Sequence, residues 1–199
     1  GALKSKQIHV LLSNSIDDFQ RNALSLSSNK NQIREGRGPE IEISFISLRT
    51  NSYPFENINT RLAFSKSINR KLISKKVSYN SRKPFRNIVP SIFKEIDQDL
   101  WPEYNPEEAK NLLKKEGYCN GKVLSFPLTY RSNVPSDKLI SLTIQEDIKN
   151  NLSDCISIQL NGVESTTMYK NLSQGLYPAV IYDWTGLYSD PEAYLKPLL

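Results

Sequence analysis

Two periods of apolar and polar residues alternate along this chain. Glu40 to Phe45 alternates at every position, so Ile41, Ile43 and Phe45 share one side of a half-buried strand. Cys155 to Leu160 repeats that period with Ile156, Ile158 and Leu160. Lys122 to Tyr130 and Tyr177 to Asp183 read as further strands, and Gln7 to Leu12 as a short one. Between them the spacing changes to that of helices. Asn57 to Val77 is the longest candidate, with Phe64, Ile68 and Leu72 on one stripe. Ile140, Ile144, Ile148 and Leu152 repeat at every fourth residue behind a capping Ser136. A short helix runs from Ser165 through Met168, Tyr169 and Leu172, and Ser189-Asp190-Pro191-Glu192 begins a closing one.

The clearest helix start is Asn105-Pro106-Glu107-Glu108. Asn105 caps, Pro106 has the right φ for the first helical position, and the two Glu face the positive end of the dipole. Lys114 and Lys115 suit the other end, and Gly117 terminates it. Ser15-Ile16-Asp17-Asp18 opens an earlier helix through Phe19, Ala23 and Leu24. There the two Asp read as first-turn charges, not as a catalytic acid pair. Ser25 to Pro39 is a polar connector, and Ser78 to Ser91 a loop punctuated by Pro84 and Pro90. Strands separated by helices of this length predict an α/β fold around a mixed or parallel sheet.

Composition narrows the classes. The 199 residues fit one large domain or two small ones, and 38% hydrophobic residues with ten Tyr and seven Phe suffice for a core. No apolar run reaches the ~18 residues of a membrane span, and the start lacks a signal-peptide pattern, so a soluble chain is expected. The formal charge is +5, and it is unevenly placed. From Asn57 to Lys94 there is no Asp or Glu, while Arg61, Lys66, Arg70, Lys71, Lys75, Lys76, Arg82, Lys83, Arg86 and Lys94 fall inside. One reading is a polyanion patch, which would make a basic nucleic-acid-binding domain. The other is a solvated helix face and a basic loop, favoured because no aromatic platform or nucleic-acid motif interleaves with the charges.

Candidate chemistry is sparse. Cys119 and Cys155 fit no metal or redox spacing, and they can form a disulfide only if the fold brings them together, which the sequence leaves open. His9 stands alone between Ile8 and Val10, so neither a nucleophilic triad nor a metal site built from protein ligands is expected. No phosphate-binding glycine loop is present. The sequons at Asn151 and Asn171 read as polar helix-end residues.

Several stretches resemble one known family in a single order. Pro54-Phe55-Glu56-Asn57 followed by Thr60 through Ile73 resembles the PF-[DN]-x-x-VR-x-A-x-x-x-A-I-D-R-x-x-I pattern of family-5 extracellular solute-binding proteins, the oligopeptide- and dipeptide-binding components of ABC importers. Pro84 through Pro90 is similar to the proline-flanked loop that follows it. Tyr104 through Tyr118 is similar to Y-[DN]-P-E-x-A-K-x-L-L-x-x-A-G-Y nearly throughout. Trp184-Thr185-Gly186-Leu187-Tyr188-Ser189-Asp190-Pro191 through Leu195 resembles W-x-A-D-Y-x-[DE]-P-x-x-[FY]-L, with Glu164 and Tyr169 in register before it. Ala2 through Val10 resembles the L-x-x-G-x-I-D-V element.

This resemblance implies a periplasmic-binding-protein-like (type II) two-lobed α/β fold, closing on ligand by a hinge, of which the chain is a fragment excised by engineering. Residues 1–48 would be the tail of the first lobe and the crossover strand, and residues 49–199 most of the second lobe with its end incomplete. The implied role is capture of a small solute, peptide-like or other, for import, by a monomer that is not an enzyme and uses neither cofactor nor metal. The implied partners are the ligand and ABC permease membrane subunits, with no nucleic acid. The implied place is periplasmic or extracellular, with a lipoprotein anchor in the full-length protein.

Departures from the family pattern bear on the ligand. The Asp that oligopeptide binders present to a peptide's amino terminus is here Leu187, the pattern's Ala is Gly186, and the residue before the tryptophan, usually Gly, is Asp183. Basic pocket positions align with Leu172 and Ile181, an aromatic one with Ser165, and a crossover Asn with Arg49. The resemblance therefore implies a pocket in which Trp184 stacks on ligand and Thr185 and Ser165 offer hydroxyls. Arg49 and Asp183 would replace the lost polarity there, unless both face solvent.

Overall fold

Asn105 starts its helix as its sequence dictates. Its side-chain oxygen accepts the Glu108 N–H at 3.0 Å, Pro106 occupies the first turn, and Gly117 ends the segment at φ +79°. These and the other elements come from a computed structural model, which describes residues 1–11, 16–28, 30, 32–36, 38–79, 81–93 and 98–198. In chain order they are α1 (Asp18–Ser28), β1 (Glu42–Leu48), α2 (Ile58–Lys66), α3 (Arg70–Ser78), α4 (Pro106–Lys115), β2 (Leu124–Arg131), α5 (Pro135–Leu152), β3 (Ile156–Val163), α6 (Ser165–Leu172), β4 (Ala179–Thr185) and α7 (Glu192–Leu198).

The four strands form one mixed sheet in the order β1-β4-β2-β3. β2 runs parallel to both β3 and β4, whereas β1 is antiparallel to β4, with Glu42 opposite Thr185 and Leu48 opposite Ala179. The carboxyl ends of β2, β3 and β4 therefore share one edge, and the carboxyl end of β1 lies on the opposite edge. The α/β class and the mixed sheet expected from the alternation of elements are what the structure has. Each strand covers its expected segment with ends moved by a few residues.

Strand alternation divides the core. Leu124, Phe126, Leu128, Ile156, Ile158, Ala179 and Ile181 face α2 to α5. The stripe Ile140, Ile144, Ile148 and Leu152 of α5 is buried against them, as its spacing predicts. Phe55, Phe64 and Phe126 meet at the centre, with ring centroids 4.8 to 5.7 Å apart. On the other face Ile43, Phe45 and Trp184 pack with Ile88, Val89, Ala193 and Tyr194. Cys119 and Cys155 are joined by a disulfide that ties the turn after α4 to the start of β3.

Three expectations need correction. The helix expected over Asn57 to Val77 is two helices, because Ser67 turns its hydroxyl onto the Phe64 carbonyl at 2.7 Å and Asn69 restarts the chain by accepting the Leu72 N–H at 3.0 Å. Local side-chain bonds of this kind compete with the helical ladder, and a hydrophobic period does not register them. The strand expected at Gln7 to Leu12 is absent from the described residues 7–11, which follow a turn over residues 2–6 closed by Gln7 N–H to Ala2 O at 2.9 Å; Leu12 lies outside the described residues. Ser136 does not cap α5, because Pro135 already occupies the first turn and Val134 takes the cap position without a side-chain bond. Of the residues proposed to open α1, Asp17 accepts the Gln20 N–H at 2.7 Å, and Ser15 lies outside the described residues.

The basic run is dispersed by the fold. Lys66 pairs with Glu108, Lys76 with Glu146, Lys83 with Glu40, and Arg86 with Asp99 and Glu103. Arg61 donates to the Phe55 and Glu56 carbonyls, and Arg70 is partly desolvated against the Pro102 carbonyl. Lys94 lies outside the described residues. Most of this charge is thus answered by carboxylates and carbonyls, several of them brought from distant parts of the sequence.

Candidate functional site at the carboxyl ends of the parallel strands

In open α/β sheets, ligands gather beyond the carboxyl ends of the parallel strands, where the loops diverge and helix amino ends converge. At that edge β4 delivers Asp183, Trp184 and Thr185, β2 delivers Arg131, and the loops after β2 and β3 deliver Asn133 and Ser165. Of the six residues singled out from the sequence, the structure brings four to this edge: Asp183, Trp184, Thr185 and Ser165. Leu187 follows two residues beyond β4 and is 91% exposed.

Trp184 is half-buried. Its indole N–H donates to the Ala193 carbonyl of α7 at 2.9 Å, and its ring packs with the cluster around Ile43 and Tyr194. The indole is therefore fixed from behind at the rim of the core. Gly186 makes this docking possible, since a Cβ there would lie 2.7 Å from the Tyr194 ring and 3.0 Å from the Ala193 Cβ. An alanine at this position would require the Tyr194 ring to shift. Tyr194 in turn donates its hydroxyl to the Ile41 carbonyl at 2.6 Å, anchoring α7 beside β1. Thr185 is exposed.

The strongest electrostatic feature was not singled out in the sequence. Arg131 is bound by Asp137 of α5 through two bonds, Nε to Oδ2 at 2.6 Å and Nη2 to Oδ1 at 3.0 Å, with the two side chains 11% and 5% exposed. The same guanidinium pairs with Asp183 and donates to the Tyr169 hydroxyl at 3.3 Å. Burial by itself would lower the Arg131 pKa, but the hydrogen bond and charge of Asp137, with the charge of Asp183 behind them, hold it above the ordinary arginine value. One cation thus clasps two carboxylates, and the cluster carries a formal −1. A sequence signal existed in Arg131 at the end of a strand with Asp137 in the first turn of the next helix. Neither its burial nor the arrival of Asp183 can be read from that spacing.

Ser165 is tied to the neighbouring loop. Its hydroxyl donates to Asn133 Oδ1 at 2.6 Å, and its backbone N–H reaches the same oxygen at 3.1 Å. Glu164 caps α6 by accepting the Thr166 and Thr167 N–H groups at 2.8 and 3.3 Å. Tyr182, one strand residue before Asp183, packs its ring at a tilt against Phe45, with centroids 4.5 Å apart, and its pKa is raised by burial and by the nearby Tyr169.

Arg49 does not join this group. It follows β1 and hydrogen-bonds the Pro178 carbonyl at 2.9 Å, on the far edge of the sheet. The five steps from Ala179 to Trp184 along β4 span about 17 Å at strand rise. Among the described residues there is no group of three or more His, Cys, Asp and Glu that could hold a metal ion, and no helix is long and apolar enough to cross a membrane.

Known proteins resemble this chain in sequence and in fold. Heme-binding protein A of Haemophilus influenzae is 30% identical over 176 residues, covering 85% of this chain and 31% of that protein. The periplasmic murein peptide-binding protein MppA of Escherichia coli is 26% identical over 170 residues, covering 80% and 30%. Among solved structures, a periplasmic oligopeptide-binding protein of Borrelia burgdorferi (OppAIV) superposes with a TM-score of 0.71 at 28% identity, covering 79% of this chain and 31% of that one. HbpA2 from Haemophilus parasuis shares the fold with a TM-score of 0.71 at 24% identity, covering 89% and 35%. The chain spans about a third of the length of the curated relatives it matches. The family model described as bacterial extracellular solute-binding proteins, family 5 Middle, matches residues 1–199. The match of that family model along residues 1–199, with the mixed sheet shared by the solved relatives, makes this chain a member of the family-5 bacterial extracellular solute-binding proteins.

Proposed function

We propose that the chain is the ligand-gripping second lobe of a solute-binding protein that delivers its cargo to an ABC permease. Residues 49–199 form the lobe, residues 1–48 lead into it from the first lobe, and the lobes close on ligand about a hinge. The observation that carries this reading is that Asp183, Trp184, Thr185 and Ser165 all stand at the carboxyl ends of three parallel strands, Asp183 and Trp184 on opposite faces of the sheet, in a chain of this family. In it, Trp184 offers a ring face fixed by its bond to Ala193, Thr185 an exposed hydroxyl, and Ser165 an acceptor oxygen at the pinned start of α6. No step of bond making is assigned to these groups. The protein acts as a monomer, outside the cytoplasm, held near the permease by a lipid anchor.

The charge at this edge sets the ligand class. Leu187 removes the carboxylate from the exposed position after β4, while the Arg131 clasp leaves one formal negative charge with Asp183 as its most exposed member, 28% by side chain. A ligand carrying a cationic group suits that arrangement better than a free oligopeptide terminus at residue 187. Mass spectrometry of whatever co-purifies with the protein at its full natural length tests the reading, and a bound small solute is the expected result. Repeated purification without any bound molecule, together with no stabilisation by a solute library in thermal melts, would reject it. On the same protein Leu187→Asp is expected to shift the captured set toward peptides with free amino termini, and an unchanged set would remove Leu187 from the pocket.

A further inference from the structure

α3 carries the part of the basic run that the fold leaves unanswered. Between Arg70 and Ser78 it holds four basic residues and no acidic one. Ser74, Val77 and Ser78 are turned inward, so Lys71 and Lys75, with Tyr79 at the cap, form an exposed stripe at spacing four on its outer side. α5 packs beside it, and Lys76 of α3 bonds Glu146 of α5 at 2.8 Å across the boundary. The two helices therefore present one outer face.

α5 brings apolar groups to that face. Its core stripe is complete with Ile140, Ile144, Ile148 and Leu152, yet Leu139 and Leu142, three residues apart outside that stripe, are each 42% exposed. Lys138 and Lys149 stand on the same side of the helix as Leu142, four residues before it and seven after. Glu146 is the one carboxylate among the exposed residues of these two helices, and Lys76 already neutralises it; Asp147 is half-buried and hydrogen-bonds Tyr104. Among the described residues Lys71, Lys75, Lys138 and Lys149 pair with no carboxylate.

Single surface leucines are ordinary, but two on one helix face among unpaired lysines, with a phenol beside them, make the pattern of an interfacial surface. The apolar tips can enter the boundary between headgroups and acyl chains, while the lysine stems keep their ammonium groups level with the phosphates. Every exposed cation on this face is Lys, a flexible point charge without the fork that fixes one carboxylate partner. That chemistry suits a fluid field of lipid phosphates better than a defined acidic groove on a protein. We propose that the outer face of α3 and α5 is a peripheral membrane-binding surface that takes an anionic phospholipid bilayer. It is the outer side of the helix layer rather than the carboxyl edge of the strands, so it is separate from the ligand reading above.

Co-sedimentation with vesicles tests the surface, using the protein at its full natural length made without lipid modification, so that no anchor contributes. Pelleting is expected with vesicles of equal phosphatidylcholine and phosphatidylglycerol and not with phosphatidylcholine alone, and it should fall steeply as salt is raised above about 0.1 M. Lys71→Gln with Lys75→Gln is expected to weaken the partition about 25-fold, about fivefold for each lysine held near an anionic surface. Leu139→Ser with Leu142→Ser should weaken it about tenfold at every salt concentration, because apolar insertion is not screened. Lys170→Gln with Lys196→Gln removes the same charge from α6 and α7 and should leave the partition within about twofold. The substituted side chains on α3 and α5 are exposed, and far-ultraviolet circular dichroism checks that each variant keeps its fold. Absence of pelleting with the anionic vesicles overturns the proposal. Equal losses from the two lysine pairs would make net charge the cause and overturn the face. Association only with membranes that carry a permease would identify a protein partner and overturn it as well. No solute enters the measurement, so it stands or falls independently of what co-purifies at Trp184.

Discussion

Arg131→Leu is expected to destabilise the protein by about 3 to 5 kcal/mol, the cost of leaving a buried carboxylate without its cation. Asp137 is 5% exposed and depends on Arg131 for both of its short contacts, and Asp183 pairs with the same guanidinium. Equilibrium unfolding in urea measures the loss. The sign of its pH dependence discriminates the cause. An acid proton neutralises an uncompensated buried carboxylate, so the deficit relative to wild type should shrink as the pH is lowered from neutrality. A deficit from lost packing alone would stay constant with pH. The double change Arg131→Leu with Asp137→Leu should recover much of the stability, since an apolar pair of similar size often replaces a buried ion pair at little cost. A single variant within 1 kcal/mol of wild type would show that the clasp is hydrated and carries no structural weight.

Opening the Cys119–Cys155 bridge by Cys119→Ala with Cys155→Ala is expected to cost about 4 kcal/mol. That figure follows from the unfolded-chain entropy of freeing a loop whose ends are 36 residues apart. The bridge closes a loop holding β2 and α5, which with β3 supply much of the main core. Cys155 is fully buried, so its truncation adds a small packing loss in the same direction. The midpoint of urea unfolding should fall and the slope should rise, because the uncrosslinked unfolded chain exposes more surface. A variant of unchanged midpoint would mean that the unfolded chain is already constrained there by other contacts. The two predictions act on separate parts of the lobe, the clasp at the carboxyl edge of the strands and the bridge at the amino ends of β2 and β3. Their effects should therefore add to within a few tenths of a kcal/mol.

Much of the fold is legible residue by residue. Asn105-Pro106-Glu107-Glu108 specifies a helix start through contacts within four residues, and the structure shows that cap. The α5 stripe and the alternation in β3 report burial directly, because each period has only one face that can meet a core. Where the reading failed, the competing interaction was local but not periodic. Ser67 and Asn69 break a helix whose apolar stripe continues across the gap, and Ser136 lost its cap role to Pro135. The candidate site was legible in part. The tryptophan segment and Ser165 fall together at one edge because the strand and loop that carry them end there. Arg49 separates because β1 is antiparallel to β4, and strand direction is not written in the pattern of a single strand.

The sequence by itself determined the elements, the α/β class and the membership of the family, since these rest on periods, caps and motifs that act over a few residues. Tertiary structure alone decided that Cys119 meets Cys155, that Arg131 gathers Asp137 and Asp183, and that Arg49 stands over Gly175 on the far edge. Each of these joins groups from different elements. Their distances depend on sheet order and strand direction, and those are chosen by the packing of the whole chain rather than by any segment of it.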